Sequence, residues 1–234
     1  EGEGFRITSA CGAIMLPDET LKLSEALRIA DTRLYSNKDS RRASAVRQSK
    51  DVLLSVLNER DAELRGHLNS VAQLAQAVGR RLALPGPELH DLGLAAELHD
   101  VGKLAIPDTI LSKHDALSEE EWHFIHRHTL VGERILSAAP SLARIGRLVR
   151  STPERLDGLG YPDGLSGNDI PLLSRIISAC DAFFAMTEDR PYRRAMASED
   201  AIAELRRCAG AHFDPDVVEA LISAYVDAEL ELVA

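Results

Sequence analysis

The sequence predicts a mainly α-helical protein, a helical bundle preceded by a short strand–helix segment. Three observations carry this reading. Apolar residues make up 45% of the 234 residues and aromatics only 4%, so Leu, Ile, Val and Ala must fill the core. Leu and Ala are strong helix formers, and glycine, at 15 residues, is sparse. From Glu63 onward, apolar residues recur at the spacing of one helical face.

The first part is 1–45. Phe5 to Leu16, "FRITSACGAIML", is β-prone and partly alternating, a strand pattern, and Pro17 and Asp18 punctuate it. "SEALRIADTRLYSNK" then puts Ala26, Leu27, Ala30 and Leu34 on one stripe, with Ser24 as N-cap candidate. One strand and one helix cannot bury their own apolar faces, so this segment reads as the end of an α/β domain. The chain starts at Glu rather than Met, which fits a piece of something longer.

Residues 46–62, in "SKDVLLSVLNERDAEL", have no Pro or Gly and read as a connecting helix. The part 63–234 is helix after helix. "HLNSVAQLAQAVGRRLAL" aligns His67, Val71, Leu74 and Val78. "PELHDLGLAAELHDVGK" follows. Ser118 with Glu121 forms a capping box opening "SEEEWHFIHRHTLVGERIL". "SLARIGRLVR" runs to a stop at Pro153. "PLLSRIISACDAFFAMT" starts at Pro171, a good first-turn residue. "SEDAIAELRRCAG" and "DPDVVEALISAYVDAEL" complete the set, and the helix-poor stretch is Asp157 to Asp169.

The charge narrows the function. A net charge of −10 argues against a protein that coats nucleic acid. It leaves room for a small phosphate ligand held by a few arginines. Three separated cysteines, an odd number, read as reduced thiols in a cytoplasmic protein. No apolar run reaches membrane-spanning length.

Among polar residues, a histidine on an apolar stripe, such as His67, is more often core than ligand. His99 and Asp100 form a pair followed by Gly102 and Lys103. A second pair, His90 and Asp91, reads as solvated surface. Asp181 sits among Ile176, Ile177, Cys180 and Phe184, where a carboxylate is costly unless paired, protonated or metal-bound. Two imidazoles and two carboxylates suit Fe, Mn, Zn or Ni better than Ca. Such an ion makes an activated water available near neutral pH. Spacing alone leaves this reading level with four unrelated polar residues.

"LHDVGKLAIPDTIL" (Leu98 to Leu111) and "DGLGYPDGL" (Asp157 to Leu165) decide between them. With "RHTLVGERIL", "PLLSRIISACDAFFAMTEDRPYR" and "FDPDVVEAL", the chain from Glu63 to Val226 resembles the HD-GYP family, the HD-type helical phosphohydrolases that hydrolyse cyclic di-GMP. The resemblance implies a first metal site of His67, His99, Asp100 and Asp181. It implies Asp100 as bridge to a second metal, with His128 as one ligand there. Lys103 falls on the family's active-site lysine. Arg190 and Arg193 fall on basic positions that contact the ligand, and Tyr161 and Pro162 on the signature loop. Glu63 has the spacing of a third-metal carboxylate. "ITSACGAIML" with "ALRIADTRLYSNKDSRR" resembles the end of a GGDEF domain, without its nucleotide site.

One stretch departs from the family. Where HD-GYP members have His-His-Glu, this chain has Thr152, Pro153 and Glu154. The expectation is one firmly bound divalent transition metal per chain and an incomplete second site. Three readings follow: a phosphohydrolase working with one metal, a regulatory module that binds cyclic di-GMP or a related nucleotide and acts on an attached GGDEF-like domain, and a helical scaffold for homodimerisation or docking.

Overall fold

The computed structural model describes residues 9, 11–20, 22–60, 64–111, 113, 115–189 and 194–233, without side chains for 38–42 and 230–233. The chain divides into two compact units, Glu1–Ser49 and Lys50–Ala234. One helix, α1 (Leu23–Arg60), supplies residues to both. It joins what the sequence divides into two helices, because no Gly or Pro interrupts residues 23–60.

In the first unit the expected strand is not formed by the described residues: 11–15 are irregular and 16–19 form a turn. Its start, Phe5 to Thr8, and Ala10 lie outside the described residues. Backbone groups that a sheet would pair are met by side chains. Asn37 donates to Cys11 O at 2.8 Å and Arg33 to Ala13 O at 2.6 Å. Arg33 also pairs with Glu19. The segment lies so close to α1 that a Cβ on Gly12 would stand 1.8 Å from Ala30 O. Thr20, rather than Ser24, supplies a hydroxyl at the helix start, accepting from Lys22 N at 3.1 Å. Leu27, expected on the buried stripe, is 61% exposed.

The second unit is a bundle. Its helices after α1 are α2 (Leu64–Arg81), α3 (Gly86–Leu98), α4 (Asp108–Leu111), α5 (Glu119–His126), α6 (His128–Ser137), α7 (Ala143–Arg150), α8 (Leu172–Thr187), α9 (Ser198–Cys208) and α10 (Pro215–Val233). A 3-10 turn, Val101–Ala105, follows α3, and a shorter one covers Gly167–Asp169. The described residues contain no strand, only an isolated bridge between Ala209 and Phe213. Helix α2 is central and packs against α3, α8 and α10. Its Leu68, Val71, Ala75 and Val78 meet a core of Leu92, Leu98, Ile176, Ile177, Phe183 and Leu221, all buried. Each such Leu, Ile, Val or Phe contributes roughly 1.5–3 kcal/mol by leaving water.

The capping box forms as the sequence predicts: Glu121 N donates to Ser118 Oγ at 3.2 Å and Ser118 N to Glu121 Oε2 at 2.7 Å. The helix it opens is shorter than expected. It stops at His126, and α6 begins anew at His128. His128 Nδ1 donates to Ile125 O at 2.5 Å, so a side chain competes for a carbonyl of the helical ladder. The three cysteines are free thiols. No described helix is long and apolar enough to cross a membrane.

Candidate metal centre

Five elements bring the site together. His67 faces inward from the first turn of α2, on the stripe of buried Val71 and Leu74. His99 closes α3 and Asp100 opens the 3-10 turn, with φ −95° and ψ 5°. On a continuing helix, neighbours point about 100° apart; the change of winding lets both face one point. Asp181 comes from α8. His128 is the first residue of α6.

Gly102 explains how Asp100 reaches His128. A Cβ on Gly102 would lie 1.7 Å from His128 O, so only glycine lets the turn abut α6. Asp100 Oδ1 then stands 3.9 Å from His128 Nε2. Arg60 braces the same turn from α1, donating to Lys103 O at 2.7 Å, to Ile106 O and to Asp108.

One donor atom from each of His67, His99 and Asp100 lies within 4.8 Å of the others, and all three residues are buried. Asp181 Oδ1 joins them at 2.9 Å from His67 Nε2 and 3.7 Å from His99 Nε2. Donors around one ion, each roughly 2.0–2.2 Å from it, are spaced in this way. Asp181 is not sunk in the core as its neighbours suggest: its side chain is 41% exposed and opens the site to solvent.

The imidazoles are oriented from behind. His99 Nδ1 donates to Ala96 O at 2.8 Å, which turns Nε2 inward. That Nε2 is buried with no hydrogen-bond partner among the described residues. His128 is held likewise through Ile125 O. His67 Nδ1 lies 2.8 Å from Glu188 Oε2. Such outer partners fix the tautomer of a metal-ligating histidine. An orphaned buried nitrogen facing two carboxylates and a second imidazole fits a transition metal, and His67, His99, Asp100 and Asp181 would hold it.

The electrostatics agree. Burial works against the charged carboxylate of Asp100, but Lys103, with Nζ 2.7 Å from Oδ2, and then His99 outweigh it and hold the group at about 2. Burial likewise opposes the imidazolium of His99, yet Asp100 and then Asp181 raise it to about 9. Burial pushes His128 below its ordinary value, leaving that ring neutral. Tyr161 is raised to about 12 by burial and then by the charges of Asp100 and Asp181, so it remains a phenol.

Residues 152–154 commit their side-chain polar atoms elsewhere. Thr152 is buried, and its hydroxyl donates to Val149 O at 2.8 Å. Pro153 has no side-chain donor. Glu154 is buried and accepts from Asp163 N at 2.7 Å and Leu165 N at 3.0 Å, pinning the Gly-Tyr-Pro loop. Tyr161 stacks on His126, with centroids 4.1 Å apart. Arg190, Arg193 and Glu63 lie outside the described residues. Asp91, expected to be solvated, pairs with Arg144 at 2.9 Å.

Sequence reading missed Glu188 and Arg60. Glu188 had no signal from helical spacing, because it lies just past the end of α8 with an extended backbone, φ −100° and ψ 147°. Arg60 had none, because its partners lie 43 to 48 residues away.

The profile of a family described as HD domain matches residues 51–217. The chain is 36% identical over 185 residues to the cyclic di-GMP phosphodiesterase PA4108 of Pseudomonas aeruginosa, covering 78% of this chain and 44% of that protein. It is 37% identical over 178 residues to the cyclic di-GMP phosphodiesterase response regulator RpfG of Xanthomonas campestris pv. campestris, covering 75% and 47%. It is 36% identical over 159 residues to the 3'3'-cGAMP-specific phosphodiesterase 3 of Vibrio cholerae, covering 68% and 35%. The chain thus spans less than half the length of these relatives. Among solved structures, the HDG"Y"P protein Bd1817 of Bdellovibrio bacteriovorus superposes with a TM-score of 0.58 at 19% identity, covering 80% of this chain and 62% of that one. That identity speaks for the fold alone.

Proposed function

Since this chain belongs to the HD domain family and is related to the HD-GYP cyclic di-GMP phosphodiesterases, we propose that residues 63–234 form a metal-dependent phosphodiesterase site for cyclic di-GMP or a related cyclic dinucleotide, with its second metal position impaired. The carrying observation is the buried trio His67, His99 and Asp100, in which His99 Nε2 makes no hydrogen bond and faces both carboxylates. In this reading Asp181 would complete the first ligand set, and Asp100 with His128 would serve the second position. One divalent ion, Fe, Mn, Zn or Ni, is firmly held. When bound, it supplies Lewis acidity and an activated water.

The chain's own groups do the rest. Glu188 and Ala96 O hold the rings of His67 and His99 in the ligating orientation. Lys103 neutralises Asp100 and is a cation beside the incoming phosphate. Tyr161, kept protonated, can donate to a phosphate oxygen from the loop that Glu154 pins. Arg190 and Arg193 supply charge-assisted contacts to the phosphates.

Impairment rests on Thr152 and Pro153. With the Thr152 hydroxyl given to Val149 O, Asp100 and His128 are the strong donors left for a second ion. The same observation favours a second reading, a regulatory module that binds the nucleotide without turning it over and acts on an attached GGDEF-like domain, of which residues 1–45 are the end.

Elemental analysis of protein prepared without chelator, with cyclic di-GMP turnover measured on the same sample, tests this. About one transition metal per chain with slow hydrolysis is expected. Binding by calorimetry without turnover selects the regulatory module. Two firmly held ions and family-like rates would overturn the impairment, and absence of both metal and nucleotide binding would sink the proposal.

A further inference from the structure

Helix α5 buries none of its eight residues, yet it carries Trp122 and Phe124, 47% and 46% exposed. It is fixed from outside its own faces. The capping box holds its start, and Lys113 Nζ pairs with Glu121 at 2.6 Å. A helix that gives the core no buried residue does not need a tryptophan for packing.

The rings on α5 continue inward. Trp122 and His126 have centroids 5.6 Å apart at 44°. His126 lies on Tyr161 at 4.1 Å and 25°, a stacked pair. Tyr161 meets His128 edge-on at 6.4 Å. A run of rings therefore leads outward from the candidate metal centre, from His128, whose Nε2 is 3.9 Å from Asp100 Oδ1, to the exposed Trp122.

We propose that Trp122 and His126 extend Tyr161 into a stacking ledge that seats one nucleobase of the cyclic dinucleotide; this deepens the substrate reading above and rests on it. A cyclic dinucleotide whose phosphate sits at the centre carries its bases outward through their riboses, and the ledge begins beside that centre at Tyr161. Every base has a π-face, and aromatic side chains hold such faces with little demand on base identity. The ledge thus adds affinity for a base-bearing phosphodiester, while phosphate-only ligands ignore it.

Trp122 is the single tryptophan of the chain, so its emission reports this helix alone. The experiment uses metal-loaded protein, wild type beside Trp122→Ala and Trp122→Phe, titrated with cyclic di-GMP and separately with inorganic phosphate. Dinucleotide should quench Trp122 emission with the midpoint seen by calorimetry. Trp122→Ala should weaken dinucleotide binding roughly tenfold or more, Trp122→Phe should recover most of it, and phosphate binding should stay unchanged in all three. Wild-type and Trp122→Ala proteins binding the dinucleotide equally would overturn the ledge alone. So would equal losses for phosphate and dinucleotide, which mark a structural role, or a change of oligomeric state on Trp122→Ala with nucleotide affinity intact, which marks a contact between copies. A wild type that binds phosphate but no cyclic dinucleotide removes the substrate reading and the ledge together.

Discussion

As proposed, the centre has a His67–His99–Asp181 side and a His128–Thr152–Glu154 side, and the two sets hold their polar atoms differently. On the first side each ring is gripped through its outer nitrogen, by Glu188 for His67 and by Ala96 O for His99, and presents the other inward. On the second side only His128 is prepared in this way, through Ile125 O. The Thr152 hydroxyl goes to a backbone carbonyl and both Glu154 oxygens go to loop amides. The contrast teaches that a ligand set is defined by which lone pairs remain uncommitted, more than by residue type.

Asp100, facing both sides, gives the largest expected effect. Asp100→Ala should drop metal content from about one per chain to background and abolish turnover, read by elemental analysis and product assay. Unchanged metal content would place the ion elsewhere and dissolve the comparison.

The weak side should be repairable. Thr152→His combined with Pro153→His is expected to raise metal content and speed hydrolysis at least tenfold, a gain of about 1.4 kcal/mol in transition-state stabilisation. A structure of the double variant shows whether the new rings face Asp100. Correctly placed rings with no gain in metal would show that the two sides differ by something other than donors.

Glu188→Gln probes the grip on the strong side. Metal affinity should fall roughly 10- to 100-fold with little change in Tm, measured by competition against a chelator. Affinity equal to wild type would mean that His67 needs no outer partner.

Proton competition follows from His99. Because Asp100 and Asp181 raise His99 to about 9 against the pull of burial, its ring is protonated at neutral pH in the metal-free protein. Metal must displace that proton. Affinity should therefore rise with pH, by at most about tenfold per unit, and level off near pH 9. Affinity that is flat between pH 6 and 8, or falls as pH rises, contradicts the assignment of His99 as ligand.

The smallest effect on metal is expected on the weak side itself. Glu154→Ala removes two hydrogen bonds to the loop and should cost about 1–3 kcal/mol of stability, seen as a lower Tm, with first-site metal content unchanged. Loss of that metal would make Glu154 part of the centre rather than a pin for the loop.

The amino-acid sequence by itself determined what is local. Helical stripes, the Ser118–Glu121 box and the stop near Pro153 depend on residues a few positions apart. His67, His99 and Asp100, which the structure brings together, were singled out there too, while His128 and the departure at Thr152 and Pro153 came only from the family resemblance. Tertiary structure alone decided how those donors are held. Glu188 reaches His67 across 121 positions, and Arg60 reaches Lys103 O across 43. The approach of Gly102 to His128 O, which sets Asp100 beside His128, exists only once the turn packs on α6. Among the described residues the N-terminal strand does not form, for the same reason in reverse. Residues 11–15 have β-type composition, but a strand is completed by a neighbour's backbone, and Arg33 and Asn37 supply partners instead. Periodicity records which face a residue belongs to; long-range packing decides what that face meets.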